Sequence, residues 1–390
     1  MTGIRKITAG LLGATLAFGA ANAALAEGVK VGLIYTLSGP PAVLGEQARD
    51  GFLLALEDLG GKLGGLDAEV TVVDDELKPD NAVNKAKELV ERENVDFVVG
   101  PIFSNILQAI MKPVTDSDTI LISSNAGTSN FAGAECNPNF FVTSYQNDQN
   151  HEVLGKYAED QGYKRVFLMA PNYQAGKDSL AGFKRHFTGE VTDELYTPLG
   201  QLDFSAELAQ LAASQPDAIF TFMPGGMGVN LVKQYRQAGL ETIPFLSAFT
   251  VDETTLPAQQ DAAVGFFGGA NWAPNADNEA SKAFVAAFEA KYDRVPGTYA
   301  MQAYDAAMLL NSALSATGGN LEDKDALRAA LKTADFQSLR GDFSFGDNHY
   351  PIQDFYLVKV AKREDGKYQT EIAERVFDDY QDVYAPDCTM

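Results

Sequence analysis

From residue 29 onward, short solid runs of apolar residues alternate with longer stretches in which apolar positions recur every three or four residues. The first pattern fits strands buried on both faces, and the second fits helices with one face on a core. Val29–Tyr35 and Glu69–Val73 read as strands. Leu44–Leu59 reads as an amphipathic helix stopped by Gly60-Gly61. Asp80 stands where a side-chain cap would start the helix Asn81–Glu91, in which Val83, Ala86 and Val90 share a face. Val95–Val99 and Thr119–Ile122 read as strands around a helix from Ser104 to Ser117. These units make one compact half, up to about Thr143.

The second half repeats the grammar. Helices are expected over Glu152–Asp160, Gly176–Phe187, Ser205–Ala213 and Gly228–Ala238, and strands over Arg165–Met169, Glu190–Tyr196, Ala218–Met223 and Phe245–Ser247. Past Gly265-Phe266-Phe267-Gly268-Gly269 the pattern turns helical. Ser281–Tyr292 is amphipathic, Tyr299–Ala316 is apolar on nearly every face and so reads as buried, and Asp325–Lys332 is short. Two β runs, Phe355–Val360 and Tyr368–Ile372, follow. This alternation predicts an α/β fold of two doubly wound, Rossmann-like lobes. No Pro/Ser-rich linker divides the halves, which implies close, hinged lobes rather than separate beads.

The pattern also says where chemistry would sit. The strands ending at Val99 and Ile122 run into small-residue loops, Gly100-Pro101-Ile102-Phe103-Ser104 and Ser123-Ser124-Asn125-Ala126-Gly127-Thr128. Ligands of open parallel sheets bind just beyond the carboxyl ends of the strands. Ser104 can cap the helix that follows, and free N–H groups with flanking hydroxyls suit a carboxylate. The alternative is that these are ordinary connections whose Ser and Thr only cap helices.

Composition narrows the partners. Arg5 and Lys6 precede an apolar run, Ile7–Ala20, and a small-x-small site, Ala24-Leu25-Ala26, with Ala21-Asn22-Ala23 as a second option. Residues 1–26 therefore read as a signal peptide, with Glu27 opening an exported, periplasmic chain. No Cys follows the site to carry a lipid, and no later run is long and apolar enough to span a bilayer. Two of the 30 cations lie in that signal, which leaves 28 against 53 acids, a balance of −25. Such a charge disfavours nucleic acid and anionic membranes as partners. An anionic ligand would have to be held by local hydroxyls and dipoles. Cys136 and Cys388 suggest one disulfide in an oxidising compartment, or else two isolated thiols.

A search for catalytic and metal motifs finds little. His151, His186 and His349 are far apart and form no HExxH or HxH arrangement. His186, beside Lys184 and Arg185, reads as solvated surface. There is no GxSxG elbow. Gly176-Lys177 does not complete a phosphate loop, and Gly225-Gly226-Met227-Gly228 lacks dinucleotide-binding spacing. Asp74-Asp75-Glu76 is a solvated loop or, less simply, a cation site. No cofactor is expected. An exported hydrolase acting through Asp/Glu pairs is disfavoured, because no nucleophile–base set is readable.

Four groups of residues carry a family resemblance: Val31-Gly32-Leu33 with Leu37-Ser38-Gly39-Pro40 and Gly45; Val98-Val99-Gly100-Pro101 with Ser104; Ser124-Asn125-Ala126-Gly127-Thr128; and Ala303-Tyr304-Asp305-Ala306. From about Val29 to Val360 the chain resembles the type I periplasmic solute-binding proteins of ABC transporters, the leucine/isoleucine/valine-binding group. Asn348-His349-Tyr350-Pro351-Ile352-Gln353-Asp354-Phe355-Tyr356 is similar to a subgroup from bacteria that import aromatic acids. The resemblance implies two lobes, residues 27–144 with 272–352 and residues 145–271 with 353–390, joined by three crossings near Ser144, Asn271 and Gln353. It implies a monomer that closes on its ligand and meets a membrane permease. The same fold can serve as a ligand sensor for a signalling receptor.

The resemblance also implies a site. Ser104 and the loop Ala126-Gly127-Thr128 would hold a ligand carboxylate. Tyr173 from the second lobe, and Tyr145 and Trp272 beside two crossings, are further candidates, Trp272 reading equally as a structural residue. Amino-acid binders of the family pair the ligand ammonium with an acid after a second-lobe strand, and that position falls here on Phe249. A buried ammonium without a partner costs several kcal/mol. Leu44 and Gly225 stand where the family carries larger aromatics and leave room. The expected ligand is a small carboxylate with an aromatic body, its ring between Phe103, Tyr173 and Phe249. An amino acid is the alternative, should Asp252 or Glu253 reach the site. N-terminal sequencing of protein exported by a Gram-negative host is expected to begin at Glu27 or a few residues earlier; an intact Met1 would refute the signal reading.

Overall fold

A computed structural model describes residues 28–390, so the signal segment and its cleavage site lie outside the described residues. Two sheets carry the chain. The first is built from β1 (Val29–Tyr35), β2 (Lys62–Leu63), β3 (Leu66–Asp74), β4 (Phe97–Val99), β5 (Ile120–Ser123) and β6 (Phe140–Val142), in the spatial order β2-β3-β1-β4-β5-β6. All neighbours are parallel except β2 with β3. The second is built from β7 (Arg165–Pro171), β8 (Glu190–Thr197), β9 (Ala218–Thr221), β10 (Phe245–Ser247), β11 (Phe267–Ala270), β12 (Ser344–Phe345), β13 (Pro351–Lys362) and β14 (Tyr368–Tyr380). Its order is β12-β13-β11-β10-β9-β7-β8, with β14 on β13. The strands from β7 to β11 are parallel, and β13 and β14 close the edge antiparallel. This is the α/β, two-lobed architecture expected from the alternating pattern.

The central strands β4, β5, β9 and β10 are buried along their whole length, as solid apolar runs require. The apolar helix is Thr298–Ala316, and it packs on Ala42–Asp58 under the first sheet. The two helices meet so closely that a Cβ on Gly51 would lie 2.0 Å from the Ala300 carbonyl oxygen.

Local differences from the expected elements have local causes. The helix expected at Asn81 begins at Pro79, a residue favoured in the first turn, with Lys78 as its cap position. Asp80 therefore lies inside the first turn, where it faces the positive end of the helix dipole. Ser104 is likewise the first helical residue rather than the cap, which is Phe103. The short β6 is defined only by its pairing with β5. Exposed charges at Glu374, Arg375, Asp378 and Asp379 hide the length of β14, which runs on to Tyr380. Asp75 is a buried loop brace: its carboxylate accepts from Thr36 Oγ1 at 2.6 Å and from the Leu77 N–H at 2.7 Å. His186 is half-buried, with Nε2 3.1 Å from Glu152 Oε2 and its ring against Phe377. It belongs to the protein's packing rather than to a solvated face.

The chain leaves the first sheet after β6, leaves the second after β11, and enters it again along β13. At these places Asn271 Nδ2 donates to the Ser144 carbonyl oxygen at 3.1 Å, and Gln353 Nε2 donates to the same oxygen at 2.7 Å. Arg340 Nη1 donates to it as well, at 3.0 Å, and to Gln353 Oε1 at 2.7 Å. Arg340 is in turn paired with buried Asp305 at 3.0 Å.

Beyond Tyr380 the chain turns back toward the first sheet. Asn348 Nδ2 reaches both Asp382 Oδ2 and the Ala132 carbonyl oxygen at 2.9 Å, and Tyr384 Oη donates to Asp148 Oδ2 at 2.9 Å. Cys388 is disulfide-bonded to Cys136, 252 residues away, and neither thiol is free. The last ten residues thus cross back rather than staying wholly with the second sheet. Closing so long a loop removes unfolded-chain entropy worth up to about 5 kcal/mol. Cys136→Ser should therefore lower the urea midpoint of the oxidised protein by a few kcal/mol equivalent. Its signature in a non-reduced digest is loss of the Cys136–Cys388 peptide pair, and an unchanged midpoint would show that the tether adds no stability.

Candidate functional site

Both sheets reverse their winding at one point, between β1 and β4 in the first and between β7 and β9 in the second. Crevices outside the carboxyl ends of strands at such points are where open α/β sheets bind ligands. Here the two crevices face each other and enclose one cavity. Leu44 follows β1; Phe103 and Ser104 follow β4; Asn125 and Ala126 follow β5; Tyr145, Asn147 and His151 follow β6. From the second sheet come Tyr173 after β7, Phe222 and Pro224 after β9, and Phe249 after β10, and Tyr299 of the buried helix completes the wall.

One end of the cavity is polar. Asn147 Nδ2 donates to Ser104 Oγ at 3.1 Å, which leaves the serine proton free to donate elsewhere. The same amide group donates to Asp178 Oδ2 at 2.8 Å. Asp178 also accepts from Ser129 Oγ at 2.8 Å and Gln174 Nε2 at 2.7 Å, so it ties the helix Gln174–His186 of one side to the loop beyond Thr128 on the other. Burial raises its pKa, and these hydrogen bonds oppose the rise. Tyr145 Oη donates to Asn125 Oδ1 at 3.0 Å, and Asn125 Nδ2 donates to the Ile102 carbonyl at 2.7 Å, which fixes both loops against each other. The first-turn N–H groups of Ser104–Thr115 point toward this end with the positive end of the helix dipole.

The rest of the wall is aromatic. Phe103 lies 6.2 Å from Tyr173, Tyr173 stacks on Phe222 at 6.2 Å, and Phe249 stacks on Tyr145 at 5.3 Å. Phe249 has φ +59, a left-handed conformation unfavourable for a bulky side chain, and its ring is wedged between Tyr145 and Tyr299. Behind it lies a second small cavity lined by Asp252, Glu253, Thr298 and Trp272. Asp252 Oδ1 accepts from the Thr254 N–H at 2.8 Å, and Glu253 Oε1 accepts from the N–H and hydroxyl of Thr370, each at 2.7 Å. Burial pushes Asp252 up to about 6; burial and the neighbouring Asp252 charge push Glu253 up to about 7.

Of the residues singled out in the sequence, Leu44, Phe103, Ser104, Ala126, Tyr145, Tyr173 and Phe249 come together on the cavity wall. Four do not. Gly127 donates its N–H to Asn147 Oδ1 at 3.0 Å, and Thr128 is buried beside it, its carbonyl accepting from Tyr350 Oη at 3.0 Å. Gly225 sits at the rim with φ +64, where an added Cβ would lie 3.7 Å from Leu44 Cδ1 and 3.4 Å from Pro41 Cα. The space expected at Leu44 and Gly225 is thus taken up by contact between the two sides. Trp272 packs in a separate cluster with Leu54, Phe284 and Met301, its Nε1 donating to Ser281 Oγ at 2.9 Å. Residues the sequence reading missed are Asn147, His151, Phe222 and Tyr299. Phe222 had a signal, since it follows a strand of the second half. Asn147 and His151 lie on the passage between the sheets, where only the closed topology gives them a site.

The folded protein holds a proton on Glu253 at a pH where the unfolded chain has lost it, because its pKa is raised from 4.5 to about 7. Stability should therefore rise as pH falls from about 8 toward about 5. Glu253→Gln should remove on the order of 1–3 kcal/mol of that rise. Asp148, Asp252 and Asp75 are raised in the same direction and would keep part of the slope. Urea melts at stepped pH measure it, and an identical slope in the variant would place the Glu253 proton wrongly.

Comparison with known proteins bears on the same cleft. The model of a periplasmic binding protein family matches residues 28–367. A protein of Brucella melitensis biotype 1 named Leu/Ile/Val-binding protein homolog 6 is 31% identical over 367 residues, 90% of this chain and 92% of its own. An ABC transporter solute-binding protein of R. palustris, solved in complex with benzoate, is 32% identical, with a TM-score of 0.88 over 93% of this chain and 100% of its own. A solute-binding protein of Rhodopseudomonas palustris BisB5, solved with 3,4-dihydroxybenzoic acid, is 31% identical, with a TM-score of 0.86 over 91% of this chain and 98% of its own. The fold, the facing switch points and these matches together establish that this chain belongs to the periplasmic binding protein family.

Proposed function

We propose that this protein is the extracytoplasmic receptor of an ABC importer and that it binds a small carboxylate with an aromatic body between its lobes. The observation that carries the ligand class is the composition of the cavity wall. Among the described residues it holds no Asp, Glu, Lys or Arg. An α-amino acid would leave its ammonium without a counter-charge, at a cost of several kcal/mol. A carboxylate, by contrast, meets the Ser104 hydroxyl and a helix N-terminus, and a ring meets a wall of six Phe and Tyr side chains. Such faces each add about 0.5–1.5 kcal/mol beyond area burial. Benzoate and dihydroxybenzoate in similar proteins support the same reading.

In this reading the lobes are residues 27–144 with 272–352 and residues 145–271 with 353–390, the last ten of which cross back to the first lobe, and they turn about Ser144, Asn271 and Gln353. Ligand contacts favour the closed form, and a permease in the inner membrane takes up the ligand from it. The receptor works as a monomer in the periplasm, without a cofactor, and leaves the ligand chemically unchanged. Ser104 and Ala126 face the carboxylate in the loaded protein, and Thr128 braces their loop from within. The cavity of about 20 Å³ takes one water and no ring, so loading requires the two sides to part first.

Calorimetry with benzoate and cinnamate beside leucine, valine and phenylalanine tests this. Aromatic acids should bind and aliphatic amino acids should not, and a hundredfold excess over Kd should add about 2.7 kcal/mol in a thermal-shift assay. Ser104→Ala should weaken binding by about 1–3 kcal/mol, roughly five- to 150-fold. Tight leucine binding that Asp252→Ala abolishes would make this an amino-acid receptor, with the acid reached from behind Phe249.

A further inference from the structure

His151 is a polar residue set into an apolar wall. It lies in the first turn of the helix Gln149–Asp160 and is 2% exposed. Its ring meets Phe220 at 5.7 Å, Phe222 at 5.1 Å and Phe249 at 6.2 Å, each edge to face. These phenylalanines lie on or just beyond strands of the second sheet, whereas Ser104 and Ala126 follow strands of the first. His151 therefore packs on the second-sheet wall of the cavity rather than on the loops that carry Ser104 and Ala126. Its Nδ1 has no hydrogen-bond partner among the described residues. Burial holds its pKa down to about 3, so the imidazole is neutral at any ordinary pH.

An unpaired polar atom in such a wall is costly. A neutral imidazole has one N–H donor and one lone-pair acceptor. It offers no charge to a second carboxylate and no counter-charge to an ammonium. The group that complements it is an uncharged one able both to give and to accept a proton in a hydrogen bond, and a hydroxyl does so in the smallest volume. A methyl group in the same place would leave the nitrogen unpaired and forfeit that bond. Sites that hydrogen-bond a ligand hydroxyl discriminate strongly against analogues lacking it, because the site's own polar group is then left unpaired.

We infer that His151 is a specificity-determining residue that selects aromatic acids carrying a ring hydroxyl remote from the carboxylate. This rests on the ligand class proposed above and adds to it the substituent and the residue that reads it. The selection acts through a neutral ring, so it should not change between pH 6 and pH 8.

The test is calorimetry of the full mature protein with four ligands, benzoate, 4-methylbenzoate, 3-hydroxybenzoate and 4-hydroxybenzoate, on the native protein and on His151→Phe and His151→Gln. Phe keeps a ring in the aromatic wall, and Gln keeps a donor and an acceptor. The native protein should bind at least one hydroxybenzoate tenfold or more tighter than the methyl analogue. His151→Phe should lose that preference, and His151→Gln should retain part of it. ¹⁵N NMR of the native imidazole should show its nitrogens shift with the preferred hydroxybenzoate and not with benzoate, a readout that needs no variant to fold. Equal binding of hydroxyl and methyl analogues by the native protein would overturn the inference, as would a hydroxyl preference that survives in His151→Phe. If benzoate binds in either case, the ligand class stands without it. Failure of all four acids to bind the native protein would instead overturn the ligand class, and the inference with it.

Discussion

The carbonyl oxygen of Ser144 accepts from Asn271, Gln353 and Arg340 at once, and the three passages between the sheets meet there. Each donor comes from a different stretch of chain, so this one acceptor helps to set how the two sheets are placed. The arrangement is held by the Arg340–Asp305 pair, both buried. Burial raises Asp305 and lowers Arg340, and for each of them it is the largest influence, ahead of the partner's charge. The pair is therefore a poor source of stability, as buried ion pairs often are, but removing one partner alone would strand a charge at a cost of about 3–5 kcal/mol. Its value is geometric. It fixes the guanidinium that orients Gln353 and the Ser144 carbonyl.

Around that anchor, the cleft separates two kinds of recognition. One end offers a serine hydroxyl whose lone pairs are already engaged by Asn147, and the first turn of a helix. The other offers aromatic faces and a neutral imidazole. A chain with formal charge −23 at pH 7 can still hold an anion in this place, because the acids nearest the cavity are braced away from it. Asp178 is spent on Asn147, Ser129 and Gln174, and Asp252 and Glu253 stand behind Phe249. Short-range dipoles decide the site, while the net charge acts over distances at which salt screens it.

The C-terminal segment adds a covalent constraint to the same geometry. After β14 the chain returns past Asp382 and Tyr384 to Cys388 and its disulfide with Cys136. Arg185 pairs with Asp148 at 2.8 Å and also with Glu152, and Tyr380 bonds Glu152, so the return path is lined with buried charge. The aromatic-acid subgroup motif serves this region too. Asn348 holds the tail, the ring of His349 lies 4.0 Å from that of Phe141 in parallel stacking, and Tyr350 fixes the Thr128 carbonyl. That motif braces the loop after β5 from behind.

The local pattern of the chain determined the strands, most helices and the class of fold, because apolar periodicity and glycine or proline punctuation act over a few residues. It also marked the loops that carry Phe103, Ser104 and Ala126, since ligands gather at the carboxyl ends of parallel strands whatever the rest of the fold does; Tyr173 and Phe249 came from the family resemblance. Tertiary structure decided what each of these faces. Trp272 read equally as a ligand residue and as a structural one, and a hydrogen bond to Ser281 and packing on Phe284 give it the structural place. Leu44 and Gly225 looked like spare room, and the approach of two loops fills it. His151 and Asn147 carried no motif, because a lone polar residue gains a role only when distant strands enclose it. The reason is physical: burial and pairing are properties of the closed cavity, and no window of sequence contains both of its walls.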